Sequence, residues 1–242
     1  MIWGVRCVIC LPTYDERENI EPMVAALRGL ELEDLHVLVI DDNSPDGTGE
    51  IADRLAAEDD HVHVLHRAKK EGLGPAYLAG FRRALELGAD LVFEMDCDFS
   101  HNPADVPRLA AAAEDADLVL GSRYVRGGGT GNWGFVRRFI SRGGSLYAQV
   151  FLQLRVRDLT GGFKCYRRKV LETIDLDGIS SLGYVFQIET TYRTLRAGFR
   201  VVEVPITFAD RQVGGSKMGK WIVLEAIWKV PALRARALLG RL

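Results

Sequence analysis

The 242-residue chain lacks most of the features that mark secreted, membrane-spanning and nucleic-acid-binding proteins. Its four cysteines are too few for the disulfide framework of a secreted protein. The first residues lack the basic and long apolar regions of a signal peptide, and no run reaches the roughly 18 apolar residues of a membrane span. A net charge of −2 argues against a protein that grips nucleic acid through its phosphates. We therefore expect a cytoplasmic, reducing setting and no nucleic-acid partner.

Two common nucleotide-binding motifs are also missing. No G-x-G-x-x-G follows the first apolar run, which argues against a dinucleotide-binding site, and the chain contains no P-loop. Any nucleotide that this protein binds must therefore be held by other residues.

Apolar runs alternate with amphipathic segments through the first half of the chain. We predict strands over 5–11, 36–40, 61–65, 91–95 and 118–120. Helical spacing predicts helices over 19–30, 48–57, 75–87 and near 103–113. Strands separated by single helices form βαβ crossovers, so the pattern predicts an α/β fold with a mostly parallel, Rossmann-like sheet flanked by helices. A single domain over 1–242 is the simplest organisation, because neither a linker nor an internal repeat is evident.

The second half of the chain is less regular. Residues 126–134 and Gly214-Gly215 are too glycine-rich for the interior of an element, so both predict mobile loops. We predict helices over 137–152 and 183–196 and a strand over 201–208. The segment 219–242 predicts a C-terminal amphipathic helix that combines tryptophans with basic residues. Such a helix lies in a membrane interface or packs on its own domain, and the sequence leaves both open.

Acidic clusters follow two of the predicted strands. Asp41 and Asp42 end the second strand, and Asp96 and Asp98 end the fourth. Ligands of parallel α/β sheets bind beyond the carboxyl ends of the strands. Two carboxylates one residue apart repel each other unless a cation relieves them, and hard oxygen ligands suit Mg²⁺ or Mn²⁺ held together with substrate phosphates. An exposed acidic turn is the alternative that the spacing leaves open.

The residues after Asp42 predict a tight turn. Ser44–Gly47 has the composition of a turn, and Thr48 is placed to cap the following helix. Such a turn would aim Asp41 and Asp42 at a bound ligand. There a carboxylate can accept hydrogen bonds from ribose hydroxyls or base N–H groups.

Histidines and cysteines outside these clusters carry weaker signals. His61 and His63 share a strand face and, from the sequence alone, are poor candidates for a metal site. His101 follows the two acids of the fourth strand and is placed to orient a ligand from behind. Cys7 and Cys10 lie inside an apolar strand, where packing rather than redox chemistry is expected.

Several motifs follow one another in a recognisable order along the chain. They are Leu11–Asn19, Asp41–Thr48, Gly72–Gly74, Asp96–Pro103 and Gly121–Val125. Together they resemble the large inverting glycosyltransferase family with the GT-A fold. Downstream segments at 132–143, 160–163 and 210–217 make the chain similar, within that family, to the polyprenyl- or dolichyl-phosphate mannose synthases. The likeness covers nearly the whole chain.

The resemblance implies a nucleoside pocket at the ends of the first two strands. Pro12, Tyr14 and Glu16 would hold the guanine end of GDP-mannose, and Ile40 and Asp42 would complete the pocket. These roles are carried over because the five residues match the family's motifs.

The resemblance also implies a centre for a metal ion and for phosphates. Asp96 and Asp98 would bind Mg²⁺ or Mn²⁺, and the Cys97 backbone would lie beside them at the diphosphate. Three basic residues would contact phosphates of the donor or the acceptor and, with the two acids, make up the catalytic set: Arg123, Arg211 and Lys217. Arg138 or its neighbour Arg137 would contact the acceptor phosphate, and the sequence does not choose between them.

The implied reaction is metal-dependent transfer of mannose from GDP-mannose to a polyprenyl phosphate, with inversion. The acceptor phosphate needs no general base, because its second ionisation lies near about pH 6. The expected location is the cytoplasmic face of a membrane, with peripheral contact and with a membrane-protein partner left open. Two alternatives remain: the same chemistry with UDP-glucose or another nucleotide-hexose, and a non-catalytic scaffold that binds a nucleotide-sugar.

Overall fold

The fold is known from a computed structural model that describes residues 4–131, 133–181, 183–209, 221–240 and 242. Its strands are β1 (Arg6–Thr13), β2 (Asp34–Asp41), β3 (Val62–His66), β4 (Leu91–Glu94), β5 (Leu118–Ser122), β6 (Gly129–Thr130), β7 (Lys164–Arg167), β8 (Val201–Pro205) and β9 (Thr207–Phe208). Its helices are α1 (Arg17–Arg28), α2 (Thr48–Glu58), α3 (Leu73–Glu86), α4 (Val106–Ala112), α5 (Phe135–Leu152), α6 (Arg168–Thr173), α7 (Gly183–Arg196) and α8 (Trp221–Leu238). A short 3₁₀ helix (Pro103–Asp105) precedes α4.

Seven of the strands form one sheet in the order β3-β2-β1-β4-β7-β5-β8. Neighbouring strands run parallel except at β7, which is antiparallel to both β4 and β5. The short strands β6 and β9 form a separate parallel pair. The predicted α/β fold with a mostly parallel sheet is therefore confirmed.

Alternate residues of the central strand β1 enter two cores, one on each face of the sheet. Ile9 and Leu11 pack in the core that includes Met23 of α1. Val8 packs in the core that includes Phe81 of α3. Each such side chain contributes roughly 1.5–3 kcal/mol when it is fully buried. Because both faces are covered, β1 reads as a continuous apolar run, and its carboxyl end is held in a fixed place.

The two cysteines of β1 are buried and free. Burial raises the pKa of the Cys7 thiol to about 12 and raises that of Cys10 further. Both thiols are therefore protonated near neutral pH and serve as packing groups, as expected from their place in an apolar strand.

The sequence-based prediction missed β7 and α6. Lys164 opens β7 and is fully buried, so the strand begins with a charge where an apolar residue would signal it. The predicted strand over 201–208 is also divided, because Ile206 separates β8 from β9.

The glycine-rich segment 126–134 was predicted to be a mobile loop, and this prediction is partly wrong. It contains β6, which pairs with β9. A Cβ atom on Gly128 would lie 2.5 Å from the carbonyl oxygen of Ser122. Glycine is needed there because two backbone segments approach closely. Gly214-Gly215 lies outside the described residues.

The predicted C-terminal helix corresponds to α8. Within the described ranges of the chain, no helix combines the length and the apolar character that crossing a membrane requires.

Candidate active site

The carboxyl ends of β2, β1 and β4 meet at one edge of the sheet. The Asp42 N–H donates to the Thr13 carbonyl at 3.1 Å, and the Met95 N–H donates to the Cys10 carbonyl at 3.3 Å. β1 lies between β2 and β4, so the two acidic clusters stand two strand spacings apart, or roughly 10 Å. The acids that follow the second and fourth predicted strands therefore share one edge.

A threonine hydroxyl joins the loop after β1 to the turn after β2. Thr48 Oγ1 accepts the Glu16 N–H at 3.0 Å and donates to Asp46 Oδ1 at 2.6 Å. Thr48 was predicted to be the N-cap of the helix, and this is wrong. It is the first residue of α2, and Gly47, with a φ of 92°, is the N-cap. Only glycine adopts that backbone conformation readily.

Asp41 and Asp42 have different surroundings. Asp41 accepts the Ser44 hydroxyl at 2.6 Å, so it stabilises the turn. Asp42, with 7% of its side chain exposed, lies 2.5 Å from Arg67 Nη1. Burial raises the pKa of the Asp42 carboxyl, and the Arg67 guanidinium opposes that rise. Asp42 is thus a buried carboxylate, partly neutralised by Arg67, directly after β2.

Arg67 is a residue of this edge that sequence reasoning missed. It directly follows β3, and its N–H donates to the Asp41 carbonyl at 2.8 Å. The signal that could have found it is the parallel pairing of β3 with β2, which brings the carboxyl ends of both strands together.

Lys70, in the same loop, contacts the predicted base-binding residue Tyr14. Its Nζ lies 3.8 Å from the centroid of the Tyr14 ring, which is within cation–π range. Pro12 pairs with Ile40 in the register of β1 and β2. Ile40 is fully buried, and its Cδ1 is the nearest atom to a Cβ built on Gly80. Ile40 therefore supports the predicted pocket from the core side of the sheet.

The loop after β4 holds its two acids by different contacts. Asp98 is 2% exposed and accepts both the N–H of Ser100, at 3.0 Å, and the Ser100 hydroxyl. Asp96 Oδ1 lies 3.5 Å from the hydroxyl of Tyr77 on α3. Ser100 thus orients the Asp98 carboxylate.

Glu16, in the loop after β1, lies near enough to the loop after β4 for its charge to act on Cys97. Its carboxylate accepts Asn19 Nδ2 at 2.7 Å. Burial, and then the charge of Glu16, raise the pKa of Cys97 well above its ordinary value. A protonated thiol is a poor metal ligand, so the contribution of Cys97 to the site stays the predicted one, through its backbone.

His101 lies directly behind the acids. Its Nδ1 accepts the Asp96 N–H at 3.2 Å, and its ring stacks on Phe163 with 5.0 Å between centroids. Burial lowers the pKa of His101 to about 4, against the opposing charge of Asp98. The ring is therefore neutral near neutral pH and fixes the backbone at Asp96, in keeping with the predicted orienting role.

Arg123 is held by a buried carboxylate. Its Nε and Nη2 donate to the two oxygens of Asp158 at 2.7 and 2.6 Å, and Nη2 also donates to Thr160 at 2.9 Å. The side chains of Arg123 and Asp158 are 4% and 0% exposed. Sequence reasoning did not identify Asp158. The contact of Arg123 with a substrate phosphate stays a prediction.

The two arginines at the start of α5 differ in environment. The Arg137 Cζ lies 4.1 Å from the centroid of the Trp133 ring, whereas Arg138 is exposed. The predicted phosphate-binding residues Arg211 and Lys217 lie outside the described residues.

Comparison with known proteins identifies the family of this chain. The family model named glycosyl transferase family 2 matches residues 8–175. The chain belongs to this family and is an enzyme, a glycosyltransferase.

Two relatives show which members of this family the chain resembles. The chain is 52% identical over 226 residues to the undecaprenyl-phosphate mannosyltransferase of Micrococcus luteus, with 93% of each chain covered. It is 47% identical over 238 residues to the polyprenol monophosphomannose synthase of Mycolicibacterium smegmatis, with 98% of this chain and 89% of the relative covered. The predicted resemblance to polyprenyl-phosphate mannose synthases is confirmed.

Solved structures share the fold at low sequence identity. Glucosyl-3-phosphoglycerate synthase from Mycobacterium tuberculosis, in complex with Mn²⁺ and UDP-glucose, matches with a TM-score of 0.67 and 19% identity, covering 98% of this chain and 79% of that one. The same enzyme with Mg²⁺ and UDP matches with a TM-score of 0.61, 19% identity and the same coverage. These matches confirm the GT-A fold.

Proposed function

We propose that this enzyme transfers mannose from GDP-mannose to a polyprenyl phosphate, with inversion and with the help of Mg²⁺ or Mn²⁺. The observation that carries the proposal is the shared edge of the sheet. It places Asp42 and Arg67 roughly 10 Å from Asp96 and Asp98. A nucleoside at the first pair and a sugar diphosphate at the second would span that distance. The two mannosyltransferase relatives support mannose and a polyprenyl phosphate as substrates.

The residues of the β4 loop fit a divalent cation. Asp96 and Asp98 offer hard carboxylate oxygens, which Mg²⁺ and Mn²⁺ prefer. Ser100 orients one carboxylate and His101 fixes the backbone of the other. Because the His101 ring is neutral, it adds no positive charge that would repel an ion. Two protein carboxylates leave coordination positions for water and diphosphate, and a bound ion would neutralise the charge that develops on departing GDP.

The residues at the nucleoside end fit a guanine nucleotide. An ionised carboxylate only accepts hydrogen bonds, and Asp42 would accept from ribose hydroxyls or from the N–H groups of guanine. The Tyr14 ring, with Lys70 on it, would provide a flat surface for the base. A UDP-glucose donor is the second candidate, because a solved neighbour of the same fold holds UDP-glucose. The identity of 47–52% to mannosyltransferases favours mannose.

The acceptor side of the proposal rests on exposed apolar residues of α5 and α8. The Tyr147 hydroxyl donates to the Ile227 carbonyl at 2.9 Å, so the two helices lie side by side. Monomeric proteins rarely expose a large contiguous apolar patch without a function. Residues that are 45–78% exposed form what we call the α5–α8 apolar surface: Phe139, Leu146, Val150, Ile227 and Trp228.

This surface begins next to the candidate active site. Arg137 packs on Trp133, whose ring centroid lies 5.5 Å from the Arg123 Cζ. Aromatic and aliphatic residues bordered by arginines are typical of surfaces that lie in a membrane interface. We place the α5–α8 apolar surface at the cytoplasmic face of the membrane, in peripheral contact. There the phosphate of the lipid would reach Arg137 and Arg138.

The proposed reaction depends more on positioning the two substrates than on acid–base catalysis. An oxygen of the acceptor phosphate attacks C1 of mannose while the bond from C1 to the diphosphate oxygen breaks, and GDP leaves with the bonding electrons. Attack from the opposite face inverts C1. The acceptor is already anionic, so the reaction needs no general base.

Lipid extraction after incubation with radiolabelled GDP-mannose, a polyprenyl phosphate and Mg²⁺ tests the proposal. Labelled lipid should form, and Asp98→Asn should lower its rate on the order of 100-fold. The matched control is Asp177→Asn, because Asp177 is 88% exposed and pairs with Arg82 in a surface salt bridge. The rate of this variant should equal that of the wild type. Labelled lipid from UDP-glucose but not from GDP-mannose would refute the donor, and no labelled lipid from either would refute the transfer.

A further inference from the structure

A second group of candidate ligands lies where β2 and β3 begin, at the opposite ends of these strands from the candidate active site. Asp34 and His36 belong to the start of β2, and His61 directly precedes β3. Each offers one ligand atom, and these atoms all lie within 4.8 Å of one another. The length of β2 separates them from Asp42 by roughly 20–25 Å. The group is therefore distinct from Asp96 and Asp98.

Hydrogen bonds already organise the group around His36. Its Nε2 lies 2.8 Å from Asp34 Oδ1, and its Nδ1 lies 2.9 Å from His63 Nε2. Arg6 donates to the other oxygen of Asp34, Oδ2, at 2.9 Å. This leaves Oδ1 directed at the imidazoles, so the charge of Arg6 does not block the carboxylate.

His61 completes the group from the residue before the neighbouring strand β3. Its ring centroid lies 4.8 Å from that of His36, and its Nδ1 lies 3.2 Å from Asp59 Oδ1. The side chains of Asp34, His36 and His61 are 31%, 12% and 41% exposed, so an ion can enter from solvent. Sequence reasoning rated His61 and His63 as poor metal candidates. That prediction overlooked the pairing of β2 with β3, which brings Asp34 and His36 beside them.

We propose that Asp34, His36 and His61 bind one divalent ion of the zinc class, with water as the fourth ligand. Two imidazole nitrogens and one carboxylate oxygen suit Zn²⁺ better than Mg²⁺. Bonds of about 2.0–2.2 Å place the ligand atoms of a tetrahedral ion roughly 3.4 Å apart. Small side-chain rotations would bring atoms that now lie within 4.8 Å to that spacing.

His63 supports the site without binding the ion. An ion on Nε2 of His36 requires the proton of that ring to sit on Nδ1. His63 Nε2 lies 2.9 Å from this nitrogen and would accept the N–H. A partner of this kind fixes the orientation of a metal-bound imidazole.

The position of the site suggests what an ion would do there. Among the strands that the structure describes, β3 lies at one side of the seven-stranded sheet and pairs with β2 alone. An ion shared by β2 and the residue before β3 would hold this edge strand in register. Zn²⁺ would therefore stabilise the folded chain, since a ligand that binds only the folded state raises the free energy of unfolding.

Competition with a chromogenic chelator measures Zn²⁺ binding to the whole chain after its metals have been removed. The wild type should bind Zn²⁺, and His61→Gln should weaken the affinity at least about tenfold. The matched control is His66→Gln, the same substitution at the other end of β3, where His66 pairs with Asp53 at 2.8 Å. Its affinity should equal that of the wild type. Asp98→Asn should also keep the wild-type affinity, which separates this site from the carboxylates of the proposed function.

Two further measurements keep the test independent of activity and of folding. Co²⁺ should give the visible absorption of a tetrahedral ion in the wild type and not in His36→Asn. Zn²⁺ should raise the Tm of the wild type and not that of His61→Gln, whose metal-free Tm should match the wild type. The inference is overturned if the wild type binds no Zn²⁺, if His61→Gln leaves the affinity unchanged, or if only Asp98→Asn abolishes binding.

Discussion

At the scale of single residues, Arg123 and Asp158 form a buried, bidentate ion pair near the candidate active site. Removing one partner of a buried ion pair leaves an uncompensated charge, which costs about 3–5 kcal/mol. Asp158→Asn keeps the shape of the side chain but removes its charge. We expect it to lower the free energy of unfolding by about 3 kcal/mol in urea denaturation. Asp177→Asn, at an exposed pair with Arg82, is the control and should change little.

The burial of Lys164 predicts how the stability of the folded chain depends on pH. It is fully buried, with Nζ donating to the Gln187 carbonyl at 2.8 Å and to Thr190 Oγ1 at 3.0 Å. Burial lowers the pKa of Lys164 from 10.5 to about 8, against the opposing charge of Glu94. Between about pH 8 and pH 10.5, Lys164 is protonated in the unfolded chain and deprotonated in the folded chain. The free energy of unfolding therefore rises with pH in this window, by up to about 1.4 kcal/mol per pH unit, and is independent of this group below it.

Comparing the wild type with Lys164→Met isolates this effect from other groups that titrate at alkaline pH. From about pH 8 to about pH 10, the wild type should gain about 2 kcal/mol of stability relative to the variant. Urea denaturation of both proteins across this range is the measurement. A difference in unfolding free energy that stays constant with pH would contradict the lowered pKa of Lys164.

The sequence predicted residues of the candidate site where a motif carries them, and it missed those that only a long-range contact reveals. Asp42, Asp96 and Asp98 were found because each follows an apolar strand. Arg67 and Asp158 were missed, because nothing in their local sequence shows that one lies 2.5 Å from Asp42 and the other is buried against Arg123. Partners of this kind depend on the pairing of strands and on loop paths.

At the scale of elements, the packing of α3 against the segment before α7 depends on a glycine. A Cβ atom on Gly74 would lie 2.6 Å from the backbone oxygen of Ser181 and 3.1 Å from a ring carbon of Phe186. A backbone atom cannot rotate away, so Gly74→Ala should cost about 1–3 kcal/mol of unfolding free energy. Gly143→Ala in α5 is the matched control, because a Cβ there meets no atom within 4 Å. It should raise stability by up to about 1 kcal/mol. Thermal and urea unfolding of both variants would show whether the two signs differ.

The elements themselves were predictable where burial follows a regular period. β1 and β2 are covered on both faces and read as apolar runs, and α7 was predicted with the bounds that the structure shows. β7 was not predictable in this way. It is an antiparallel strand inserted between β4 and β5, and its first residue, Lys164, is charged and buried. Tertiary contacts offset the free-energy cost of burying this charge, and the local sequence pattern does not reveal those contacts.

At the scale of the whole molecule, the two ends of the strands present different groups of side chains. The edge after β1, β2 and β4 gathers carboxylates and an arginine. The opposite edge gathers imidazoles at the starts of β2 and β3. Hard and borderline divalent ions prefer these two ligand sets respectively. The separation of roughly 20–25 Å would therefore let one chain hold a hard ion for the proposed transfer and a borderline ion for stability, with no ligand shared between the sites.

Two acceptors of different chain length can test the proposed membrane contact of the α5–α8 apolar surface separately from the chemistry. Phe139 and Trp228 are 69% and 78% exposed, so replacing either by serine should not disturb the core. With a water-soluble, short-chain prenyl phosphate, Phe139→Ser and Trp228→Ser should keep the wild-type kcat. With a long-chain lipid in vesicles, each should lose at least about tenfold in rate, because about 1.4 kcal/mol of apolar burial in the membrane corresponds to that factor. Radiolabel transfer to both acceptors, with vesicle flotation of the same variants, is the measurement. Equal losses with the two acceptors would show that these side chains serve the fold or the active site instead of the membrane.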